Sequence, residues 1–271
     1  MSALFSMVNQ SIWLALAIGN SRLHWAWFKG EQLCFSWDTA YLAATFVQQI
    51  AKCQVWDDLP PEILLPKQIP KADFAYPIPL YVVSVVPSQT TLWQTYPNIQ
   101  LITLDDVPLK NIYPTLGSDR ALALWGAKET GMPVLVIDSG TALTFTGSDA
   151  NFALVGGAIL PGLSLQFQAL ERKTANLSTI ELPQQLPPRF ATNTTEAMQS
   201  GIIYSLVAGI KNFIEAWWQM YPSSRVVLTG GDRTILFNYL NSQFPQVAER
   251  VTCDRNLIFR GMQAYRKQHL S

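Results

Sequence analysis

Two short stretches decide the fold: Ala17-Ile18-Gly19-Asn20-Ser21 and Asp138-Ser139-Gly140-Thr141-Ala142, 121 residues apart (138 minus 17) in a chain of 271. Each ends an apolar run, Ile12–Ile18 in one case and Val134–Ile137 in the other. Each then leads into another extended stretch, Leu23–Phe28 or Leu143–Thr146. Strand, tight glycine turn, strand is a way to point backbone N–H groups and small hydroxyls at a phosphate. Two such turns predict two related halves gripping one polyphosphate. A phosphotransferase or an ATPase is the first functional expectation.

Composition narrows the field. The chain is 49% hydrophobic and 14% charged, which favours a sizeable core over disorder. Nineteen basic and nineteen acidic residues cancel, so the footprint of a nucleic-acid binder is missing and any anion must be held by local geometry. Three cysteines and two histidines lie scattered without metal-ligand spacing, which argues against zinc and for a reducing compartment. Ala15-Leu16-Ala17 mimics a signal-peptidase site, but no Lys or Arg precedes Arg22, so a cleaved secretion signal is not expected. The triplets Asn176-Leu177-Ser178 and Asn193-Thr194-Thr195 then carry no meaning as glycosylation sites. No stretch is long and apolar enough to span a bilayer. The expectation is a cytoplasmic protein that meets neither membrane nor nucleic acid.

Along the chain, Asp38 reads as the N-cap of a helix running to Ala51, and residues 57–80 read as a Pro-rich loop. Tyr81–Val86 is a buried strand stopped by Pro87, a short strand lies near Leu101–Leu104, and a helix over Asp119–Glu129 links the halves. Gly156–Gly162 reads as a glycine-dense turn leading into a helix from about Leu163, and residues 183–192 as a surface loop. From Thr195 onward, Met198, Ile202, Leu206, Ile210, Phe213 and Trp217 recur at helical spacing. Arg225–Leu228 is a buried strand ending in Thr229-Gly230-Gly231, followed by a helix and a short C-terminal segment. This is an α/β chain of mixed sheets, with halves at 1–125 and 126–271 and ligands expected at the carboxyl ends of strands. No Gly-x-Gly-x-x-Gly opens a helix after a strand, and no P-loop motif occurs.

Several residues could carry chemistry. Asp119 sits at a helix start, where the macrodipole favours its ionised form, and Arg120 beside it could fork onto a carboxylate or phosphate. The plainer alternative is a capping Asp followed by a solvated Arg. Asp138 ends an apolar strand and needs compensation from turn amides or a cation, or else forms an Asx turn of its own. Thr194 stands at the mouth of the long helix, either as its N-cap or as a substrate contact. Gly156-Gly157 and Gly230-Gly231 are candidates for close backbone approach to a nucleotide.

In order, Ala17–Ser21, Ser84-Val85-Val86-Pro87, Gly117-Ser118-Asp119-Arg120, Asp138–Ala142, Gly156–Gly162, Asn193-Thr194 with Ala197–Gly201, and Thr229-Gly230-Gly231 resemble the motifs of type III pantothenate kinase. The resemblance spans residue 14 to about 262. It implies a bacterial, cytoplasmic enzyme of the actin-like ATPase fold that phosphorylates pantothenate with ATP, the first step of coenzyme A synthesis. It also implies a homodimer with substrate near the subunit interface. By similarity, Asp119 is the general base, and Gly117, Ser118, Asp119 and Arg120 line the pantothenate site, with Tyr113 and Thr194 as further contacts. Ala17, Ile18, Gly19, Asn20, Ser21, Arg22, Leu23, His24 and Thr141 would contact ATP, with Mg2+ accompanying the nucleotide. Asp138 would bind an activating K+ or NH4+ ion.

One position departs from the pattern. The family usually begins its first motif with Asp, and here that residue is Ala17. Ala17 motivates an alternative, a family member that binds nucleotide or pantothenate without turning it over. A sugar or acid kinase of the same fold is the other competitor.

Overall fold

A computed structural model describes residues 12–53, 77–173 and 181–270. Most of the expected loop over 57–80, and the triplet at Asn176, lie outside the described residues. The elements run β1 (Ile12–Ile18), β2 (Leu23–Lys29), β3 (Gln32–Thr39), α1 (Ala44–Lys52), β4 (Leu80–Ser84), α2 (Pro87–Trp93), β5 (Ile99–Leu101) and α3 (Ser118–Gly126). There follow β6 (Val134–Ser139), β7 (Ala142–Ser148), β8 (Leu154–Pro161), α4 (Leu163–Lys173), α5 (Thr194–Met220), β9 (Arg225–Thr229), α6 (Arg233–Gln243), α7 (Pro245–Ala248), β10 (Val251–Cys253) and α8 (Leu257–Leu270).

The two sheets repeat one plan. The first has the order β3-β2-β1-β4-β5 and the second β8-β7-β6-β9-β10. In each, an antiparallel three-strand meander is extended by two parallel strands on the far side of its first strand. The glycine turns join the first two strands of each meander, with Ile18 opposite Leu23 and Ser139 opposite Leu143. The described residues fall into two units, bounded as Met1–Val107, Thr115–Leu122 and Ile258–Ser271 for the first, and Pro108–Pro114 and Ala123–Leu257 for the second.

In the first unit, Leu16, Ile18, Leu23, Val82 and Trp93 form the centre of a core over which α1 lays Val47 and Ile50. In the second, α5 lays Ile203, Leu206, Val207, Ile210, Ile214 and Trp217 on the sheet. A β-carbon at Gly147 of β7 would stand 2.5 Å from the Trp217 ring, so the missing side chain seats the indole. Phe213, expected in the buried stripe, is 41% exposed but stacks on Phe145 at 4.2 Å.

The structure corrects several local expectations. Asp38 caps no helix: it lies in β3, opposite His24, because Leu33–Trp37 pair along β2. The helix begins later, at Ala44. Pro87 ends no strand; β4 closes at Ser84, and the proline opens α2, where its missing N–H costs nothing. Gly156 and Gly157 belong to strand β8, where the register slips between Gly147 and Ser148 and Gly156 takes φ +145°. The C-terminal segment includes β10 and a 14-residue helix, α8.

That last helix supports the candidate site. A β-carbon at Gly261 of α8 would strike the carbonyl oxygen of Leu122, one turn along α3 from Asp119. Backbone cannot swing aside as a flexible side chain can. Gly261→Ala is expected to cost roughly 1–3 kcal/mol, read as a lower urea midpoint at unchanged slope.

Candidate active site

The first glycine turn is closed by the Gly19 N–H donating to the Arg22 carbonyl at 3.1 Å, and Tyr41 Oη donates to the Gly19 carbonyl at 2.5 Å. Asn20, Ser21 and Arg22 are exposed on it. Ala17, Ile18 and Leu23 are buried, so only their backbone could face a nucleotide. His24 stands on β2 directly opposite Ala17 on one side and Asp38 on the other. Its Nδ1 is 2.8 Å from Asp38 Oδ1. Sequence reasoning missed Tyr41 and Asp38 because β3 went unrecognised; the Lys29-Gly30-Glu31 turn between two aromatic-rich runs, with Gly30 at φ +57°, was the available signal.

Gly117, Ser118, Asp119 and Arg120 come together at the start of α3. Asp119 lies in the first turn rather than at the cap. Its Oδ1 accepts the Arg120 N–H at 2.7 Å. Burial pushes the Asp119 carboxyl above the usual carboxylate range, against the opposing pull of the Arg120 N–H and the Arg120 charge. Arg120 is 8% exposed, so the expectation of a solvated side chain fails. Ser118 Oγ points at the Ser84 carbonyl, 3.5 Å away at the end of β4. A β-carbon on Gly117 would overlap Asp119 Oδ1, so a side chain there would displace the carboxylate.

The second turn is more tightly built. Ser139 Oγ donates to the Thr229 carbonyl at 2.6 Å, the Asp232 N–H donates to the Ser139 carbonyl at 2.9 Å, and the Gly162 N–H to the Thr141 carbonyl at 2.9 Å. A β-carbon on Gly230, whose φ is +90°, would lie 2.5 Å from both Asp138 Oδ1 and the Ser139 carbonyl. Both oxygens therefore lie close against the backbone of Gly230, which only a residue without a β-carbon allows. Among the described residues no group of three or more His, Cys, Asp or Glu gathers, so nothing resembles a transition-metal site. Thr141 is exposed. Gly230 serves strand convergence, while the Gly231 side faces open space.

Thr194 is not the cap of α5. Asn193 is, its side chain accepting the Glu196 N–H at 2.9 Å. Thr194 instead lines a 760 Å³ pocket with Gln166, Leu170, Asn193, Met198 and Ile202, between α4 and the first turns of α5. Tyr113 falls in the second unit and is 40% exposed.

The family model for type III pantothenate kinase matches residues 13–216. The chain belongs to that family. It is 53% identical over 259 residues to a type III pantothenate kinase of Nostoc sp., covering 93% of each chain. A type III pantothenate kinase of Synechocystis sp. is 41% identical over 259 residues, covering 94% of this chain and 91% of that one. Among solved structures, a conserved Baf family transcriptional activator of Campylobacter jejuni aligns with a TM-score of 0.61 at 20% identity, over 95% of this chain and 98% of that one. MreB5 of Spiroplasma citri bound to ADP aligns with a TM-score of 0.53 at 7% identity, over 96% and 98%. These likenesses agree with the duplicated sheets in giving the actin-like ATPase fold. Among the described residues no helix is long and apolar enough to cross a membrane.

The crowding at Gly117 gives a direct test. Gly117→Ala forces the Asp119 carboxylate out of its present position, so kcat is expected to fall about 100-fold. The clash falls on a side-chain end that can rotate away, so the melting temperature should hardly change.

Proposed function

We propose that the chain performs its family's reaction, transfer of the terminal phosphoryl of ATP to the pantothenate hydroxyl, with Asp119 as the general base. The carrying observation is the Asp119 carboxyl itself, fixed by the Arg120 N–H and pushed upward by burial. A base works best when its pKa approaches the operating pH, and burial moves this one in that direction. Gly117, Ser118 and Arg120 complete the pantothenate site, where the Arg120 guanidinium supplies the fork that a substrate carboxylate needs. Tyr113 and Thr194 add contacts, Thr194 from the wall of its pocket.

The backbone of residues 17–24 and the Thr141 hydroxyl bind ATP, which arrives with its magnesium. Asp138 and the Ser139 carbonyl hold a potassium or ammonium ion, which when bound adds positive charge near the phosphates. Each half of the chain, 1–125 and 126–271, contributes one glycine turn. The protein works as a cytoplasmic homodimer, the setting its family implies. Ala17 favours a second reading, a protein that binds the same ligands without turnover.

ADP release with magnesium-ATP, offered pantothenate or hexoses in potassium or sodium buffer, separates these readings. Turnover with pantothenate alone, faster in potassium, is expected; nucleotide binding without turnover would establish the second reading. Asp119→Asn should lower kcat by about 10²–10⁴. Because the folded pKa of Asp119 is raised, its ionisation penalises the native state. That penalty is absent below the ordinary Asp value and complete above the raised one. The Asn variant should therefore melt higher than wild type at neutral pH and no higher near pH ~3. The acid limb of wild-type kcat/KM should lie above the ordinary carboxylate range.

A further inference from the structure

The first two peptide units of the first glycine turn can be followed group by group to their partners. The unit between Ile18 and Gly19 is satisfied at both ends. Its carbonyl accepts the Val85 N–H at 3.2 Å, and its N–H donates to the Arg22 carbonyl at 3.1 Å. The unit between Gly19 and Asn20 is satisfied at one end. Its carbonyl accepts the Tyr41 hydroxyl at 2.5 Å. Its N–H, that of Asn20, meets no acceptor among the described residues.

This second unit is a trans peptide. A trans peptide is planar, so its carbonyl and its N–H point in opposite directions. A hydroxyl fastened to the Gly19 carbonyl therefore holds the Asn20 N–H pointing away from Tyr41. It also polarises the unit, because hydrogen bonds in a chain strengthen one another and a carbonyl that accepts makes the N–H of its own amide a better donor. Asn20 itself is exposed.

Tyr41 is well anchored for this task. It is half-buried, and its ring packs against the core of the first unit. It reaches Gly19 across 22 residues of chain, so the contact is made by the fold and not by a local turn. The ring serves the core, and the hydroxyl serves the turn.

We propose that Tyr41 is a positioning residue for the nucleotide, its hydroxyl aiming and strengthening the Asn20 N–H as a donor to a phosphate oxygen. Tyr41 touches no ligand itself, because it acts from the opposite side of the peptide. The inference rests on the reading of the first turn as the ATP site, and it deepens that reading by naming what orients the amide.

The test uses the whole protein. Tyr41→Phe keeps the ring and removes only the hydroxyl. It should raise the KM for ATP about fivefold, with kcat and the KM for pantothenate within about twofold of wild type. The amide can also be watched directly. Gly-Asn occurs once in the chain, at Gly19-Asn20, so protein made with carbonyl-13C glycine and 15N asparagine carries a single doubly labelled peptide. The non-hydrolysable analogue AMPPNP should move this amide proton downfield in wild type. Tyr41→Phe should move it upfield in the free protein and shrink the AMPPNP response. Calorimetric AMPPNP binding to wild type with an unmoved Asn20 amide overturns this inference alone, a result that does not depend on how the variant folds. A Tyr41→Phe protein that melts lower but keeps its KM for ATP overturns it as well, since the tyrosine is then structural only. No AMPPNP binding to wild type overturns the ATP-site reading and this inference with it.

Discussion

At the second glycine turn, backbone stands directly against backbone. The carbonyl oxygens of Gly140 and Thr141 crowd the α-carbon of Gly162, and the Ser139 carbonyl with the Asp138 carboxylate crowds that of Gly230. The ends of β6, β8 and β9 converge only because neither crowded residue has a β-carbon. Once they converge, Ser139 Oγ on Thr229 and the Asp232 N–H on Ser139 lock them together. The position of the Asp138 carboxylate follows from this packing. A charged group at the end of an apolar strand is costly, and here its neighbours are fixed by main chain rather than by adaptable side chains.

The first turn solves the same topological problem differently. A β-carbon at Gly19 would meet only ordinary contacts, the nearest at 3.5 Å, so steric fit does not demand glycine there. The turn is held from outside, by the Tyr41 hydroxyl on the Gly19 carbonyl. Glycine at this position keeps one face of the backbone open. The two sheets share a strand order, yet one turn is packed through crowding and the other is held by the Tyr41 hydroxyl from the segment after β3. Duplication preserved the sheet and left each turn its own chemistry.

That difference explains what could be read from sequence. Val134–Ile137 is a continuous apolar run and Tyr81–Val86 one broken only by Ser84, and both announce strands; the repeated glycine turn announces the duplication; and the 3.6-residue spacing of Ile202, Leu206, Ile210 and Trp217 announces α5. The edge strands were harder. β3 is half-exposed along most of its length and carries Ser36 and Asp38, so its pattern resembles a cap followed by a helix more than a strand. β8 contains Gly156 and Gly157, which read as a turn, although an edge strand with a register slip tolerates both. Missing β3 concealed the Asp38–His24 pair, whose members lie 14 residues apart and meet only through hairpin register. At α3, sequence located Asp119 and Arg120 but not the burial of Arg120, which depends on packing from elements distant in sequence.

The start of α3 shows why burial and charge are arranged together there. An isolated buried Asp would be driven toward its neutral form, useless as a base until deprotonated. An isolated buried Arg would cost more still, because it has no neutral form to adopt. Set side by side, the Arg120 charge and N–H oppose the desolvation of Asp119, but burial remains the larger effect. The carboxylate that results is ionisable yet more basic than a solvated one. Its energetic penalty falls on the native state, and packing elsewhere in the fold must supply the compensating stability. Gly117 and Gly261 make this possible by removing side chains, one where the carboxylate must turn and the other where α8 must press against α3. The absence of two β-carbons is thus part of what sets the chemistry of the one carboxylate.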